Sequence, residues 1–420
     1  MNIHKKNAAA IVNKILSLES SSASLISSMR KFTADYIFPV SSSPLPKGIV
    51  VVADDGEILS VFPASSPGAA EGAEHHRGII CPGFVNTHCH LELSYLKGKI
   101  PPGGGLDTFI KEVEELRRKA SDDEREQCMR DAEKEMFENG IVAVGDICNT
   151  ASSFQIKREH KMRYHNFIEV YGFDPARSGN AFEHGLRLLS MPGGQPGSVT
   201  LHAPYSASVP LMEKIAELSA ASGAPLSFHN QENKDEDELY VTGRGRIMER
   251  LKYFGIDTSS WKPTGMSALR SVLPHLPASV KIQLVHNTFT SPEDIEWAES
   301  YSRMLWWCFC PGANLYIENC IPAFELFAAR GVKITIGTDS LASNNTLSIV
   351  EELKIIESAY PAIPLETMIR WATLNGAEFL GFDKELGSIE PGKRPGLVLI
   401  EDADVKQFRL GEKSRVRRLC

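Results

Sequence analysis

Between residues 79 and 338 short runs of β-branched and apolar residues alternate with longer stretches of helical character, with no obvious repeat in the sequence itself. The runs fall at 79–87, 141–147, 164–172, 198–203, 225–230, 281–287, 304–310 and 332–338. The stretches between them include the charged run 121–139 and the amphipathic run 210–222, and a further amphipathic run, 347–359, follows the last. Parallel strands need such crossovers, because each must return the chain to the same end of the sheet. An open doubly wound sheet alternates in the same way, yet no G-x-G-x-x-G follows the first run and no phosphate loop is present. Eight strands close a barrel, so the expected core is a (β/α)8 barrel.

Two β pieces flank this core. Residues 32–40 and 48–62 read as short strands turned at Asp54-Asp55-Gly56, and Gly387-Ser388-Ile389-Glu390-Pro391-Gly392 leads into the apolar run 397–400. The Ser-rich residues 1–28 are expected to form a loosely ordered extension. With 45 Lys+Arg against 53 Asp+Glu the net charge is −8, which argues against a nucleic-acid partner. No apolar run approaches the roughly 20 residues that cross a bilayer, and the start lacks an export signal. Eight cysteines are scattered at 81, 89, 128, 148, 308, 310, 320 and 420, as reduced thiols of a cytoplasmic protein would be.

The chemistry-bearing residues sit where the runs end. His88 and His90 follow the first run at a spacing of two, which in extended backbone sends both imidazoles to one side. His202, His229, His286 and Asp339 close the fourth, fifth, sixth and eighth runs. A barrel gathers such positions at the C-terminal face of its strands. Each has an ordinary alternative: an H-x-H turn, a satisfied core histidine, or Asp339 as the N-cap of a following helix. The acid run 235–238 reads as a solvated face or lid segment. Together, His88, His90, His229 and Asp339 suit one divalent ion with room left for water. Zn2+ is the expected ion, and Fe2+ suits the same donors. Asp339 would take the water's proton, His286 would hold the attacking oxygen, and Glu232, three residues after His229, would carry a proton to a substrate ring nitrogen. His202 is surplus to the ligand set and would touch the substrate ring.

The segment Pro82-Gly83-Phe84-Val85-Asn86-Thr87-His88-Cys89-His90, then His229-x-x-Glu232, His286 and Gly337-Thr338-Asp339, resembles the amidohydrolase superfamily in its branch of mononuclear-metal aminohydrolases. The resemblance runs from about residue 32 to 400, through Trp371-Ala372-Thr373-x-Asn375-Gly376-Ala377. It implies a TIM-like barrel over 81–379 and a small β-sandwich domain built from 29–80 plus 380–420. Implied too is hydrolytic deamination of an amino-substituted heterocycle. His90-Leu91-Glu92-Leu93-Ser94 and Cys310-Pro311-x-Ala313-Asn314-Leu315-Tyr316 look most like aminodeoxyfutalosine and adenosine-type nucleoside deaminases, with Glu92 and Asn314 as substrate contacts. Partners on this reading are the small-molecule substrate and water, and a homodimer, since relatives are often dimers or larger. Gly312 stands where many relatives carry Arg, which leaves open how the substrate's far end is held.

Other readings compete. A guanine- or cytosine-type base deaminase, a chlorohydrolase and an amide hydrolase share this superfamily. Two-metal ring amidases, however, carry a bridging lysine where His202 stands. The H-x-E string His90-Leu91-Glu92 suits the cytidine-deaminase zinc site, but no P-C-x-x-C follows. From another class, a catalytically inactive nucleoside-binding barrel would keep the fold without turnover.

Overall fold

The computed structural model describes residues 29–159, 162–191 and 195–420; the extension expected at 1–28 lies outside them. The run 79–87 is two strands, not one, because Gly83 breaks it. A Cβ built there would lie 2.2 Å from Val142 Cγ1 and 2.8 Å from the Pro395 carbonyl oxygen. The Gly83 amide donates to the Pro395 and Gly396 carbonyls at 3.1 and 3.2 Å. Upstream, Ile79–Pro82 pairs antiparallel with Leu397–Glu401 and parallel with Tyr36–Ile37. Downstream, Phe84–Cys89 (β1) opens the central layer.

Seven strands follow: β2 (Ile141–Cys148), β3 (Arg163–Val170), β4 (Gly197–Leu201), β5 (Leu226–Asn230), β6 (Ile282–His286), β7 (Leu305–Phe309) and β8 (Lys333–Ile336). They form two four-stranded parallel sheets, ordered β4-β3-β2-β1 and β5-β6-β7-β8, rather than one continuous ladder. Side chains and loop backbone bridge both gaps. Between β4 and β5, Thr200 Oγ1 donates to the Ser227 carbonyl at 2.6 Å and accepts from the Ser227 amide at 3.2 Å. Between β8 and β1, Thr87 Oγ1 donates to the Ile336 carbonyl at 3.2 Å, and the Thr338 and Asp339 amides donate to His88 O at 3.1 and 3.0 Å. β2 is buried along its whole length, as a parallel strand covered on both faces must be.

Helices occupy the connections, and six bear on the site: α1 (Gly105–Arg117), α2 (Asp122–Glu138), α3 (Asp235–Thr242), α4 (Arg246–Tyr253), α5 (Pro311–Glu318) and α6 (Ile349–Ala359). α2 shows how the charged run 121–139 is used. Ser121 Oγ accepts from the Glu124 amide at 3.2 Å and caps its start. Met129, Ala132 and Met136, spaced three and four apart, form its buried stripe. Each buried methionine contributes roughly 1.5–3 kcal/mol. No helix among the described residues is long and apolar enough to cross a membrane.

The flanking strands make a four-stranded sheet, ordered Ile58–Phe62, Ile49–Ala53, Met29–Thr33, Glu74–His75, and a five-stranded sheet of Arg415–Arg418, Leu397–Glu401, Ile79–Pro82, Tyr36–Ile37 and Leu45–Pro46. Phe32, Val50 and Ile58 of the first share one apolar cluster with Ile37, Ile80 and Leu399 of the second.

Candidate active site

Four non-glycine residues at the C-terminal ends of β5, β6 and β8 have left-handed backbone: Gln231 at φ 43°, His286 at 74°, Asn287 at 54° and Asp339 at 56°. Such conformations cost of order 1–3 kcal/mol each and persist only where the surroundings hold them. Here they are held. The Asn287 amide donates to the Asn230 carbonyl at 3.0 Å, and Gln231 N to Glu236 Oε2 at 3.0 Å. Glu236 Oε1 also accepts from the Glu232 amide at 2.8 Å. The acid run 235–238, carried on α3, divides: Glu238 is exposed and Asp235 and Asp237 half-buried, whereas Glu236 is fully buried and shapes the turn that presents Glu232.

His88, His90, His229 and Asp339 come together above this end. His90 Nε2 lies 3.2 Å from His88 Nε2 and 3.3 Å from His229 Nε2. Asp339 Oδ1 is 3.7 Å from His88 Nε2 and 3.4 Å from His90 Nε2. His229 Nδ1 donates to the His202 carbonyl at 2.9 Å, which leaves its Nε2 lone pair facing the cluster. Burial pushes the His88 imidazole down to about 4 and also lowers His229 and His286, keeping these rings neutral, the form that binds metal. Burial opposes ionisation of Asp339, but the His88, His90 and His286 rings around it outweigh it, so the carboxyl is held well below its ordinary range; Ser343 Oγ donates to its Oδ2 at 2.7 Å. Neutral imidazole lone pairs and a carboxylate oxygen converging this closely suit a divalent cation among them.

His286 belongs to the cluster in a different way. Asn314 Nδ2 points at its Nδ1 at 3.3 Å and donates to Thr288 Oγ1 at 2.7 Å. An amide nitrogen only donates, so Nδ1 accepts and Nε2 carries the proton. That Nε2 is buried with no hydrogen-bond partner and lies 3.6 Å from Glu232 Oε1. Burial, then the Asp339, Glu236 and Glu318 charges, push the Glu232 carboxyl well above its ordinary range, so it holds a proton.

The expected substrate contacts divide. The His202 ring is tilted against His229, ring centres 4.7 Å apart, and against Tyr171 at 4.8 Å, with Nδ1 3.1 Å from Ser206 Oγ. Asn314 stands behind His286, as its positioner. Glu92 accepts from the Asn149 amide at 3.2 Å, the Thr150 amide at 3.1 Å and Thr150 Oγ1 at 2.9 Å, clamping the loop after β2. Gly312 donates its amide to Glu352 Oε2 at 2.7 Å, and a Cβ there would meet Asn344 Nδ2 and Glu352 Oε1 at 2.7 Å. No side chain fits at that position without a shift.

One buried acid of the cluster was not anticipated. Glu169 on β3 accepts from Asn149 Nδ2 at 2.9 Å and from the Tyr171 hydroxyl at 2.5 Å, and its Oε1 is 3.6 Å from His229 Nδ1. Burial pushes its carboxyl up, but the His202, His229 and His90 rings and the Asn149 amide outweigh it and leave the group at about 2. With His202 and His229 it forms one of three sets of ligand atoms, among the described residues, that lie within 4.8 Å of one another; the others are His88, His90 and Asp339, and His88, His229 and His286. Its signal in the sequence is the one acid of strand β3, set between Ile168 and Val170.

Known proteins share this arrangement of chain. A 5-methylthioadenosine/S-adenosylhomocysteine deaminase of Natronomonas pharaonis is 26% identical over 371 residues, covering 84% of this chain and 79% of that protein. The crystal structure of Helicobacter pylori aminofutalosine deaminase in complex with methylthio-coformycin superposes with a TM-score of 0.72 at 21% identity, over 88% of this chain and 92% of that one. An adenosine deaminase from Xanthomonas campestris with bound zinc superposes with a TM-score of 0.69 at 21% identity, over 90% and 85%. The structural likenesses establish a TIM-barrel-type fold of mixed α/β content. The sequence profile of the Amidohydrolase family matches residues 79–416. The chain belongs to the amidohydrolase family, whose members bind a divalent metal.

Proposed function

We propose that this protein is a metal-dependent hydrolytic deaminase of a 6-aminopurine nucleoside bearing a 5′ substituent, releasing ammonia. The observation that carries the reading is geometric: His88, His90, His229 and Asp339 converge at one end of the strands, and beside them Glu232 Oε1 lies 3.6 Å from the buried, unpartnered Nε2 of His286. His88, His90, His229 and Asp339 would hold the ion, and zinc is the ion we assign, on the donor set and the zinc-bound adenosine deaminase neighbour. When bound, the ion supplies an acidified water as nucleophile. Asp339 accepts the proton that the water gives up. His286 Nε2–H donates to the attacking oxygen. Glu232 protonates the ring nitrogen beside the attacked carbon, so charge collects away from that carbon. Asp339 then returns its proton to the amino group, ammonia leaves with the carbon–nitrogen electron pair, and the oxygen's remaining proton passes to the Glu232 carboxylate as the carbonyl forms, which restores both acids. His202 faces the ring. The names of the similar proteins support the nucleoside substrate.

The eight strands are read as one closed (β/α)8 barrel over 81–379, supported by the bridges at Thr200–Ser227 and Thr87–Ile336. The flanking sheets are read as one β-sandwich domain, 29–80 plus 380–420, supported by their shared apolar cluster. The eight free cysteines support a cytoplasmic setting.

The test is Glu232→Gln. Metal content by elemental analysis should stay at the native level while ammonia release from 5′-substituted adenosines falls about 10²–10⁴-fold. Near-native turnover in this variant would remove the proton-transfer role and the mechanism with it.

A further inference from the structure

Residues of α5, α6 and the segment 409–412, which leads into the strand Arg415–Arg418, line a cavity of about 870 Å³. None of His88, His90, His229, Glu232 and Asp339 lines it, so it is separate from the candidate active site. Leu315, Ile321, Ile355, Ala359, Pro361 and Leu410 give it an apolar wall. Such a wall interrupted by a few polar groups is what a small-molecule site needs, and the volume lies in the range of roughly 300–1,000 Å³ that such sites occupy.

Most charged groups around the cavity are engaged or exposed. Lys354 Nζ donates to Glu351 Oε1 at 2.7 Å and to the Glu412 carbonyl at 3.1 Å. Glu352 accepts from the Gly312 amide and from Asn344 Nδ2, and Glu412 stands exposed at the rim. Glu357 and Arg409 differ. Glu357 is 7% exposed, and its Oε2 accepts from the Leu410 amide at 2.7 Å. Its Oε1 is buried with no hydrogen-bond partner. The cation beside it is Arg409, with Nη1 at 3.8 Å, beyond the roughly 3.2 Å at which an N–H···O bond ends. Burial pushes the Glu357 carboxyl up despite the Leu410 amide and the Arg409 charge. A buried acceptor without a donor is costly, and one in a native fold asks for an occupant.

The chemistry of that occupant follows from the pair. An anion alone would draw Arg409 away and leave Oε1 still without a donor. A cation alone would satisfy Oε1 but meet the Arg409 charge. A ligand carrying both charges on neighbouring atoms answers both groups, and a guanidinium takes a planar carboxylate through two parallel N–H bonds. We propose that this cavity binds a free α-amino acid with an apolar side chain. Its ammonium donates to Glu357 Oε1, its carboxylate accepts from Arg409, which turns from Glu357 to meet it, and its side chain lies on the wall of Ile355 and Leu410. Asn344, which also lines the cavity, donates to the Thr338 carbonyl at 2.9 Å, so the occupant sits against the loop that carries Asp339. The assignment is independent of the deaminase reading.

The test is titration calorimetry of the metal-loaded protein with L-leucine, L-phenylalanine and L-tryptophan, and with two analogues of phenylalanine that each lack one charge, 2-phenylethylamine and 3-phenylpropanoate. At least one amino acid should bind with a Kd below about 1 mM. Phenylalanine should bind about tenfold or more tightly than either analogue, as loss of a charge-assisted hydrogen bond predicts. Glu357→Gln and Arg409→Gln should each weaken the best-bound amino acid about tenfold or more. An amino acid that instead coordinates the active-site metal would bind both variants as it binds the native chain, and that result overturns the proposal. So does the absence of binding by all three amino acids, or an analogue that binds as tightly as phenylalanine. Should Glu357→Gln fail to fold, Arg409→Gln decides, because that side chain is 38% exposed and its loss leaves the core intact.

Discussion

Asn314 touches no reacting atom in the proposed chemistry, yet it fixes which nitrogen of His286 faces the site. Asn314→Leu frees the ring to take the other tautomer or to flip. Metal content should hold while kcat drops about 10–100-fold, the usual cost of removing a partner that orients such a ligand or donor; single-turnover rates with elemental analysis check this. Glu352 of α6 offers a pH test. It is buried between the Gly312 amide and Asn344 Nδ2, and burial raises its carboxyl from 4.5 to about 8. The folded state thus holds this proton more tightly than the unfolded chain. Its contribution to stability is full below about 4.5 and drains away as pH rises to about 8. Urea titrations across that window should show a steeper decline for the native chain than for Glu352→Leu, and equal slopes would exclude Glu352 as the cause. The residues that could be read in advance are those that end strands: His88, His90, His229, His286 and Asp339 are placed by a period of two and a barrel's polarity. Glu169 and Arg250 could not be read this way. Glu169 lies within its strand between Ile168 and Val170, and Arg250 sits in a helix of ordinary charged composition, buried against Asp107 of α1 and the Tyr205 ring.

Elements show where alternation is a good guide and where it stops. Apolar runs located all eight strands, but only three-dimensional contacts set their ends. The run 79–87 divides at Gly83 because Val142 and Pro395 approach too closely for a side chain. β8 stops at Ile336, three residues before Asp339, because the amides of Thr338 and Asp339 turn to His88 O. Inside β2, a strand with no exposed residue, Asp146 pairs with Lys157 Nζ at 2.5 Å, and Lys157 also donates to Asn166 Oδ1 at 2.8 Å. Asp146 Oδ1 accepts from the Leu91 amide at 2.9 Å, tying the chain just after His90 to the sheet. Lys157→Met should destabilise the fold by about 3–5 kcal/mol, since it strands a buried carboxylate. Adding Asp146→Asn should recover part of that loss, measured by urea unfolding of both variants. Additive losses in the double variant would show that the two groups do not act as a pair.

At the scale of the whole molecule, the proposed ligands span 252 positions, from His88 to Asp339, and join the two sheets. Binding of an ion there is therefore also a tie across the fold. At a free metal concentration of 100 times Kd, linkage gives about 2.7 kcal/mol, so for a chain of this length removal of the ion by a chelator should lower Tm by about 3 °C. Scanning calorimetry before chelation, after it and after re-addition of zinc checks this, and an unchanged Tm would count against these ligands. The seam at Gly83 bears on how the chain is made. Ile79–Pro82 is synthesised early, but its antiparallel partner Leu397–Glu401 comes only after residues 83–396. At the ordinary pace of translation, about 5–20 residues per second, that strand edge stays unpaired for roughly 15–60 s. An apolar strand with an open edge invites pairing with other nascent chains. A stop codon placed ahead of residue 397 leaves that edge open for good, so the truncated chain should partition into the insoluble fraction, which sedimentation of its lysate checks.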